Sequence, residues 1–502
     1  MIDVEMISSA LGMLVDADIY WLLAVGMVYG IIVGALPGMT ASLAIALVLP
    51  FTYHMTPIEA LVFLSAIFTG GVYGGSITAI MLNMPGSPAS AATSFDGFAL
   101  ARQGKQNEAQ GLAIGASVIG SLLATVLVLA MLQPLARFAL MFGPVEMLMV
   151  GLFALTIVAS FKGETLGKGI MAGGFGLLLG TIGVSWGREY RATFGSTWLI
   201  DGLPLVPIII AVLALPGLFA LARERFVVPD DLLRAPDLRK QLTGIRRVTR
   251  YRMVLLRSSL IGIVVGALPA AGASVASLLA WNDTKQSVPG NRLGQGDERG
   301  VVASEAANNS SEMGSTAVML ALGIPGGGAT AILLGAFMIH GITPGPRMLT
   351  DNLDLGYALV ISQFLQILLL PGAALLILSV SNHVLKVPNR ILLPIVLVVT
   401  CWGIYTTRQT FFDIGLLVGF GIFAYILQKY GYPVIALLLG IILAEILEPE
   451  LIRATATYGA ENLPYVIVTR PISLALLVLT LLSLVYAWKR RGAGDPGPLE
   501  EA

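Results

Sequence analysis

The sequence predicts an all-α polytopic membrane protein made of two inverted-topology repeats, with helices broken by Pro and Gly or folded back as re-entrant hairpins. Three observations predict it. Of 502 residues, 56% are hydrophobic and 12% charged, against about 25% charged in a soluble domain, so the chain cannot cover a water-facing surface. Runs such as 21–36, 112–132, 145–160, 205–222, 414–427 and 472–488 approach the roughly 17–25 apolar residues that span a bilayer core. Helices are the element that satisfies its own backbone there. Finally, one passage is written twice. Gly74, Leu82, Pro85, Gly86, Ala89 and Ala91 recur 240 residues later as Gly314, Leu322, Pro325, Gly326, Ala329 and Ala331. Likewise Gly30-Ile-Ile-Val-Gly-Ala-Leu-Pro37 recurs as Gly262-Ile-Val-Val-Gly-Ala-Leu-Pro269. Four broken segments therefore fall into two matching pairs.

Taken in order, the chain begins with Asp3, Glu5, Asp16 and Asp18 and has no Lys or Arg before Arg102. There is no basic n-region and no Ala-x-Ala cleavage site, so the first helix is expected to direct insertion. The first repeat covers residues 1–222. Residues 223–257 form a linker with ten Lys/Arg against four Asp/Glu, broken by Pro229 and Pro236, and the positive-inside rule places it in the cytoplasm and the N-terminus on the other side. That requires an odd number of crossings in the first half, so the second copy, residues 258–463, enters upside down. Within the first copy, 84–101 either crosses fully or folds back. Further echoes extend the duplication: Pro134 with Pro371, Pro144 with Pro388, and Gly174-Phe175-Gly176 with Gly419-Phe420-Gly421. An unpaired helix, 464–488, and a cytoplasmic tail, 489–502, complete the chain. One polar run, 282–315, sits between broken segments and is expected to line water instead of lipid.

Proline removes a backbone donor and glycine admits dihedrals closed to other residues, so each break frees amides and carbonyls. Amides at a helix N-terminus attract an anion, and carbonyl ends attract a cation. In an apolar chain, paired interruptions in two halves mark a transporter's binding site. The candidates for solute binding are Pro37, Gly38, Thr40, Asn83, Pro85, Gly86, Ser87, Ser90, Gly272, Ser274, Asn308, Asn309, Pro325, Gly326, Gly327, Gly328 and Thr330. Two adjacent amides, Asn308 and Asn309, are hard to satisfy locally. An acid at mid-bilayer costs about 2.5–3.5 kcal/mol; Glu59, Glu146, Asp413 and Glu445 sit near segment ends, whereas Glu305 adjoins the Asn pair. Ser42, Glu305 and Ser310 are the candidates for a coupling ion, Na+ or H+.

Other chemistries lack their residues. Cys401 is the sole cysteine, and His54, His340 and His383 stand far apart, so no metal site, catalytic constellation or cofactor site is expected. The glycines of 294–300 have the wrong spacing for a dinucleotide fingerprint, no phosphate-binding Gly-x-x-x-x-Gly-Lys motif exists, and the basic run is explained by orientation, not nucleic acid. An intramembrane enzyme and a scaffold subunit of another membrane complex remain the alternatives to a carrier.

The runs GALPGMTAS, GGVYGGSITAIMLNMPGSPASAATSFDGFALARQG, SEAANNS and ALGIPGGGATAILLGAFMIHGITPGP closely resemble the large membrane subunit, a TctA-type permease, of the bacterial tripartite tricarboxylate transporters, over roughly residues 20–450. The resemblance implies a pathway-forming subunit of a secondary active importer in the inner membrane. It also implies di- or tricarboxylate solutes, an ion gradient as drive, a small membrane subunit and a periplasmic solute-binding protein. Two departures stand out: Ala270-Ala271-Gly272 follows Pro269 where the family pattern places Gly directly after Pro, and Ser304 precedes Glu305 where it places Pro.

Overall fold

The computed structural model describes residues 4–160, 166–185, 189–223, 235–269, 271–290, 292–384 and 389–490. Part of the linker (224–234), Ala270, Pro388 and most of the tail (491–502) lie outside the described residues. Helices α1 (Val4–Met13), α2 (Ala17–Ala35), α3 (Ala41–Val48), α4 (Pro57–Leu82), α5 (Ala91–Arg102) and α6 (Gln106–Ala139) come first. Then follow α7 (Pro144–Ser160), α8 (Leu166–Gly180), the hairpin β1 (Gly183–Val184) and β2 (Tyr190–Arg191), α9 (Leu205–Leu213), α10 (Leu215–Arg223) and α11 (Leu238–Arg247). The second half holds α12 (Arg252–Gly266), α13 (Gly272–Ser287), α14 (Glu298–Leu322), α15 (Gly328–Ile339), α16 (Pro346–Asp351), α17 (Leu353–Val384) and α18 (Asn389–Arg408). Last come α19 (Phe411–Lys429), α20 (Val434–Tyr458), α21 (Leu463–Thr469) and α22 (Pro471–Arg490).

Among the described residues, Ala17–Ala35, Pro57–Leu82, Gln106–Ala139, Leu353–Ser381 and Phe411–Lys429 are long and apolar enough to cross a membrane. Pro471 divides the stretch 464–488 into α21 and α22, which meet at 93°. This is the expected effect of a ring that cannot continue the preceding helix. The duplicated prolines Pro134 and Pro371 both lie inside helices, α6 and α17.

Contacts divide the chain into two compact units, Met1–Ala139 with Gly217–Gln409, and Leu140–Pro216 with Thr410–Ala502. Each half of the sequence contributes to both. In the first unit α2 lies along α4, and α12 lies along α14. Glycine sets these approaches. A β-carbon on Gly74 would meet the Ile31 carbonyl at 2.5 Å and the Ala35 nitrogen at 3.0 Å, and one on Gly314 would meet the matching Ile263 carbonyl and, at 3.1 Å, the Ala267 nitrogen. Gly30 against Ile67 is repeated as Gly262 against Ala307, and Gly34 against Gly71 as Gly266 against Ser311. The duplication read in the sequence is thus a duplication of backbone crossings, each possible only where a side chain is missing. In the second unit α8 packs on α20 and α19 on α9, so the two helices carrying the Gly-Phe-Gly echo each pack on a helix from the other half.

The described part of the linker is docked. Asp237 caps α11 by accepting the Lys240 amide at 3.2 Å, and α11 lies on α6 where Gly111 and Gly244 each leave room for the other's backbone. Glu298, in the first turn of α14, accepts from Arg247 at 2.5 Å and from the Tyr251 hydroxyl at 2.9 Å. Burial and this acceptor push the Tyr251 hydroxyl up to about 12. Burial also raises the neighbouring Asp297 carboxyl, but Arg299 and the Arg292 and Arg299 amides outweigh it and hold the group below the usual carboxylate range.

In the second unit, Glu146 is buried at the start of α7. It accepts from Arg470 at 2.7 Å, Ser473 at 2.9 Å and the Gly143 amide at 2.9 Å, so this acid is structural.

Candidate functional site

The four breaks are built by local rules. After α4, Asn83 takes the left-handed conformation, φ 56, which asparagine tolerates better than most residues, and the chain turns through Met84-Pro85-Gly86 into a short 3-10 turn, Pro88–Ser90. After α14 a glycine does the same work, Gly323 with φ 70, before Ile324-Pro325-Gly326-Gly327. After α2, Gly38 has φ 79, and Thr40 caps α3 by accepting the Leu43 amide at 3.2 Å. The equivalent positive φ in the second copy falls at Gly272, φ 60, three residues beyond Pro269. The departure Ala270-Ala271 therefore moves the left-handed residue along the chain without removing it.

The breaks converge on α13 and α3. Ser277, in α13, donates to the Ala89 carbonyl at 2.6 Å, while Gly272 at the start of α13 leaves its notional β-carbon 3.8 Å from the Gly326 carbonyl. Five residues of helix separate these contacts, about 7–8 Å at 1.5 Å per residue, so both Pro-Gly breaks rest on one short helix. Ser42, in the first turn of α3, stands 2.9 Å from the notional β-carbon of Gly328. Each copy's short helix thus meets the other copy's break.

The predicted residues fare differently around this junction. Gly38 and Asn83 are exposed; Thr40, Pro85, Gly272, Ser274, Gly327 and Gly328 are half-buried; Pro37, Gly86, Ser87, Ser90, Pro325, Gly326 and Thr330 are buried. The Ser87 and Ser90 hydroxyls have no partner among the described residues and converge beside Gly75, 3.1 and 2.5 Å from its notional β-carbon. The Gly327 amide donates to Thr330 Oγ1 at 3.0 Å, so Thr330 is spent on capping α15. Gly86 is packed against the Gly34 carbonyl and the Gly75 Cα, which makes it a crossing glycine first.

The Asn pair lies farther up α14. Asn308 donates to the Val72 carbonyl at 3.2 Å, whereas neither polar atom of the fully buried Asn309 has a partner among the described residues. Residues 300–316 are all buried, so this end of the polar run faces protein. The three ion candidates do not form one cluster. Glu305 accepts from Thr93 at 2.5 Å and Ser117 at 3.3 Å, toward α5 and α6. Ser310 donates to the Ala307 carbonyl at 3.2 Å beside Gly262 of α12, and Ser42 faces α15.

Several polar residues escaped the sequence reading. Asp96, fully buried in α5, accepts the amides of Gly294, Gly296 and Asp297 at 2.8, 3.0 and 2.9 Å and the Trp281 indole at 2.8 Å. Gly294 and Gly296 in the preceding loop and Gly300 in the first turn of α14 cradle this carboxylate. Glu312, Thr69, Gln363 and Gln366 meet in the interior of the first unit. A signal for Glu312 was present: Glu305, Asn308, Asn309 and Glu312 follow an i, i+3, i+4, i+7 spacing, which is one helix face. Elsewhere, three carboxylates, the exposed Asp16 and Asp18 and the half-buried Glu59, come within 4.8 Å of one another, with Asp16 and Glu59 engaged in capping α2 and α4.

The model of the tripartite tricarboxylate transporter TctA family matches residues 21–439. The chain belongs to that family. TctA members are the large subunits of tripartite tricarboxylate transporters, and with its apolar helices the chain is a multi-pass membrane protein. It is 32% identical over 477 residues to an "uncharacterized 52.8 kDa protein in TAR-I ttuC' 3'region" of Agrobacterium vitis, covering 94% of each chain. It is 33% identical over 227 residues to an "uncharacterized protein in TAR-II ttuC' 3'region" of the same organism, covering 45% of this chain and 93% of that one. No solved structure matches.

Proposed function

We propose that the chain forms the pathway of a secondary active importer that moves di- or tricarboxylates across the bacterial inner membrane, drawing on a Na+ or H+ gradient. Solute arrives from a periplasmic binding protein, and a small membrane subunit completes the complex. The two copies lie in the membrane with opposite orientation, linker in the cytoplasm and N-terminus outside. The observation that carries this reading is the junction of two Pro-Gly breaks on α13, with Ser87 and Ser90 beside one of them and without a partner among the described residues, in a chain of the TctA family. A carboxylate is the ligand such a junction suits. It accepts several hydrogen bonds at once, from hydroxyls and from amides at helix ends.

The test is uptake of labelled mono-, di- and tricarboxylates into proteoliposomes holding the full-length chain, with and without the small subunit and binding protein, under an imposed Na+ or pH gradient. The expected result is gradient-driven uptake of a polycarboxylate that needs both partners. Full-rate uptake by the chain alone, or no carboxylate uptake with both partners present, contradicts the reading.

A further inference from the structure

Thr69 of α4 has one hydroxyl hydrogen and four acceptor oxygens around it. Its Oγ1 stands 2.6 Å from Glu312 Oε1, 2.7 Å from Gln366 Oε1, 3.2 Å from the Ser65 carbonyl oxygen and 3.5 Å from Gln363 Oε1. One hydrogen cannot serve both short contacts, and an oxygen–oxygen separation of 2.7 Å with no hydrogen between is repulsive.

Turning the Gln366 amide does not remove the conflict without making another. Its nitrogen already donates to Ser65 Oγ at 2.9 Å and Ser362 Oγ at 3.2 Å, and the Ser362 hydroxyl is spent on the Leu359 carbonyl at 2.7 Å. The Gln363 nitrogen donates to Thr69 Oγ1 at 3.1 Å; turning that amide would bring its oxygen into the same position, because O and N are interchangeable in such an assignment.

The charge is as unbalanced as the hydrogens. Glu312 is 2% exposed, and its Oε2 has no partner among the described residues. None of the ion pairs among the described residues includes it. A buried carboxylate with neither a cation nor a full set of donors is strongly disfavoured. A proton on Glu312 would supply one hydrogen and remove the charge; a bound cation takes the place of that hydrogen, neutralises the carboxylate and also engages the remaining oxygens. Carboxylate, hydroxyl and amide oxygens are the donors a hard cation prefers, and a single carboxylate balances a single positive charge.

We propose that Glu312, Thr69, Gln366, Gln363 and the Ser65 carbonyl form a site for a dehydrated Na+ ion, held between α4, α14 and α17. Asn309, one helical turn before Glu312 and without a partner among the described residues, stands on the same face of α14. The site deepens the carrier reading and rests on it, placing the coupling ion deep in the first unit. Ser65 and Thr69 occupy, in the first copy, the positions that Glu305 and Asn309 hold 240 residues later in the second. The two copies therefore carry different polar chemistry at equivalent places, and the oxygen cluster draws on both, Ser65 and Thr69 from the first and Glu312, Gln363 and Gln366 from the second.

The experiment is thermal unfolding of the purified full-length chain in detergent, titrated with NaCl against choline chloride at constant ionic strength, in the absence and presence of a carboxylate panel. Wild type should show a saturable Na+-specific rise in Tm, since a ligand of the native state stabilises it by mass action. Thr69→Val and Gln366→Leu should move the Na+ midpoint at least tenfold higher, Glu312→Gln should abolish the response, and Thr69→Ser should keep it. In choline, Glu312→Gln should unfold no earlier than wild type, because the substitution removes the uncompensated charge; a merely structural network would lose stability in both salts. A wild-type Tm indifferent to Na+, a response that follows pH alone, or a wild-type Na+ midpoint in Glu312→Gln or Thr69→Val overturns the site. Carboxylate stabilisation without any Na+ response would sink the ion site and leave the carrier reading standing. A Na+ response with no carboxylate stabilisation would do the reverse.

Discussion

Gly86 in the first break lies so close to Gly34 in α2 that a β-carbon on Gly86 would fall on the Gly34 carbonyl oxygen. The second copy repeats the relationship, with Gly326 2.6 Å by the same measure from the Gly266 carbonyl. Because the obstacle is backbone, Gly86→Ala and Gly326→Ala should each cost about 1–3 kcal/mol as overpacking. Both should lower the Tm and folded yield, as should Gly176→Ala, since Gly176 meets the Leu437 carbonyl in the same way. Fluorescence-detected size exclusion and thermal unfolding check this; wild-type values for either variant contradict it.

Asp96 should be a positioning residue for the whole 292–297 loop, because four donors converge on it. Asp96→Asn removes the charge that these donors answer, and hydrogen bonds to a charged group are worth about 1.5–3 kcal/mol each. Amide exchange at Gly294, Gly296 and Asp297 should accelerate by at least tenfold, while exchange in α8 and α20 of the other unit should stay as in wild type.

Asn308 and Asn309 should separate under substitution. Asn308→Ala removes a buried hydrogen bond to the Val72 carbonyl and should lower stability by about 0.5–1.5 kcal/mol. Asn309→Ala orphans no described protein group, so the Tm should not fall, while the apparent affinity for solute or ion in uptake should drop about five- to 150-fold if the amide meets either one. A lower Tm with unchanged uptake would reverse the assignment.

The opposed orientation of the two copies is tested by impermeant thiol labelling of Ser9→Cys and Thr243→Cys in a Cys401→Ala background. Both positions are exposed. In intact cells with a permeabilised outer membrane, Ser9→Cys should label, and Thr243→Cys should label only after lysis. Labelling of both from one side refutes the inverted arrangement.

Residue type and spacing made the breaks readable, since Pro and Gly act on their own backbone and the duplication separates chance kinks from built ones. The same logic reached Asn309 and Glu305. It did not reach Asp96, whose partners lie about 200 residues away in a loop with no periodicity, nor Thr69 and Gln366, ordinary polar residues until two helices bring them 2.7 Å apart. Gly86 shows the opposite limit. The sequence marks it as a glycine that matters, but only the crossing with α2 shows that what it spares is a neighbouring carbonyl.

Gly327 allows the most direct test of the central claim, that carboxylate binds at the junction of the breaks. Its backbone is extended, φ −169, which any residue adopts, and the nearest obstacle to a side chain is the Gly272 Cα at 3.9 Å, so Gly327→Val should fold. Equilibrium binding of a labelled tricarboxylate to purified full-length wild type and Gly327→Val, both with wild-type Tm in NaCl, measures the claim. Saturable binding by wild type and at least a tenfold loss in Gly327→Val is the predicted result; equal binding by the two proteins would place the carboxylate elsewhere.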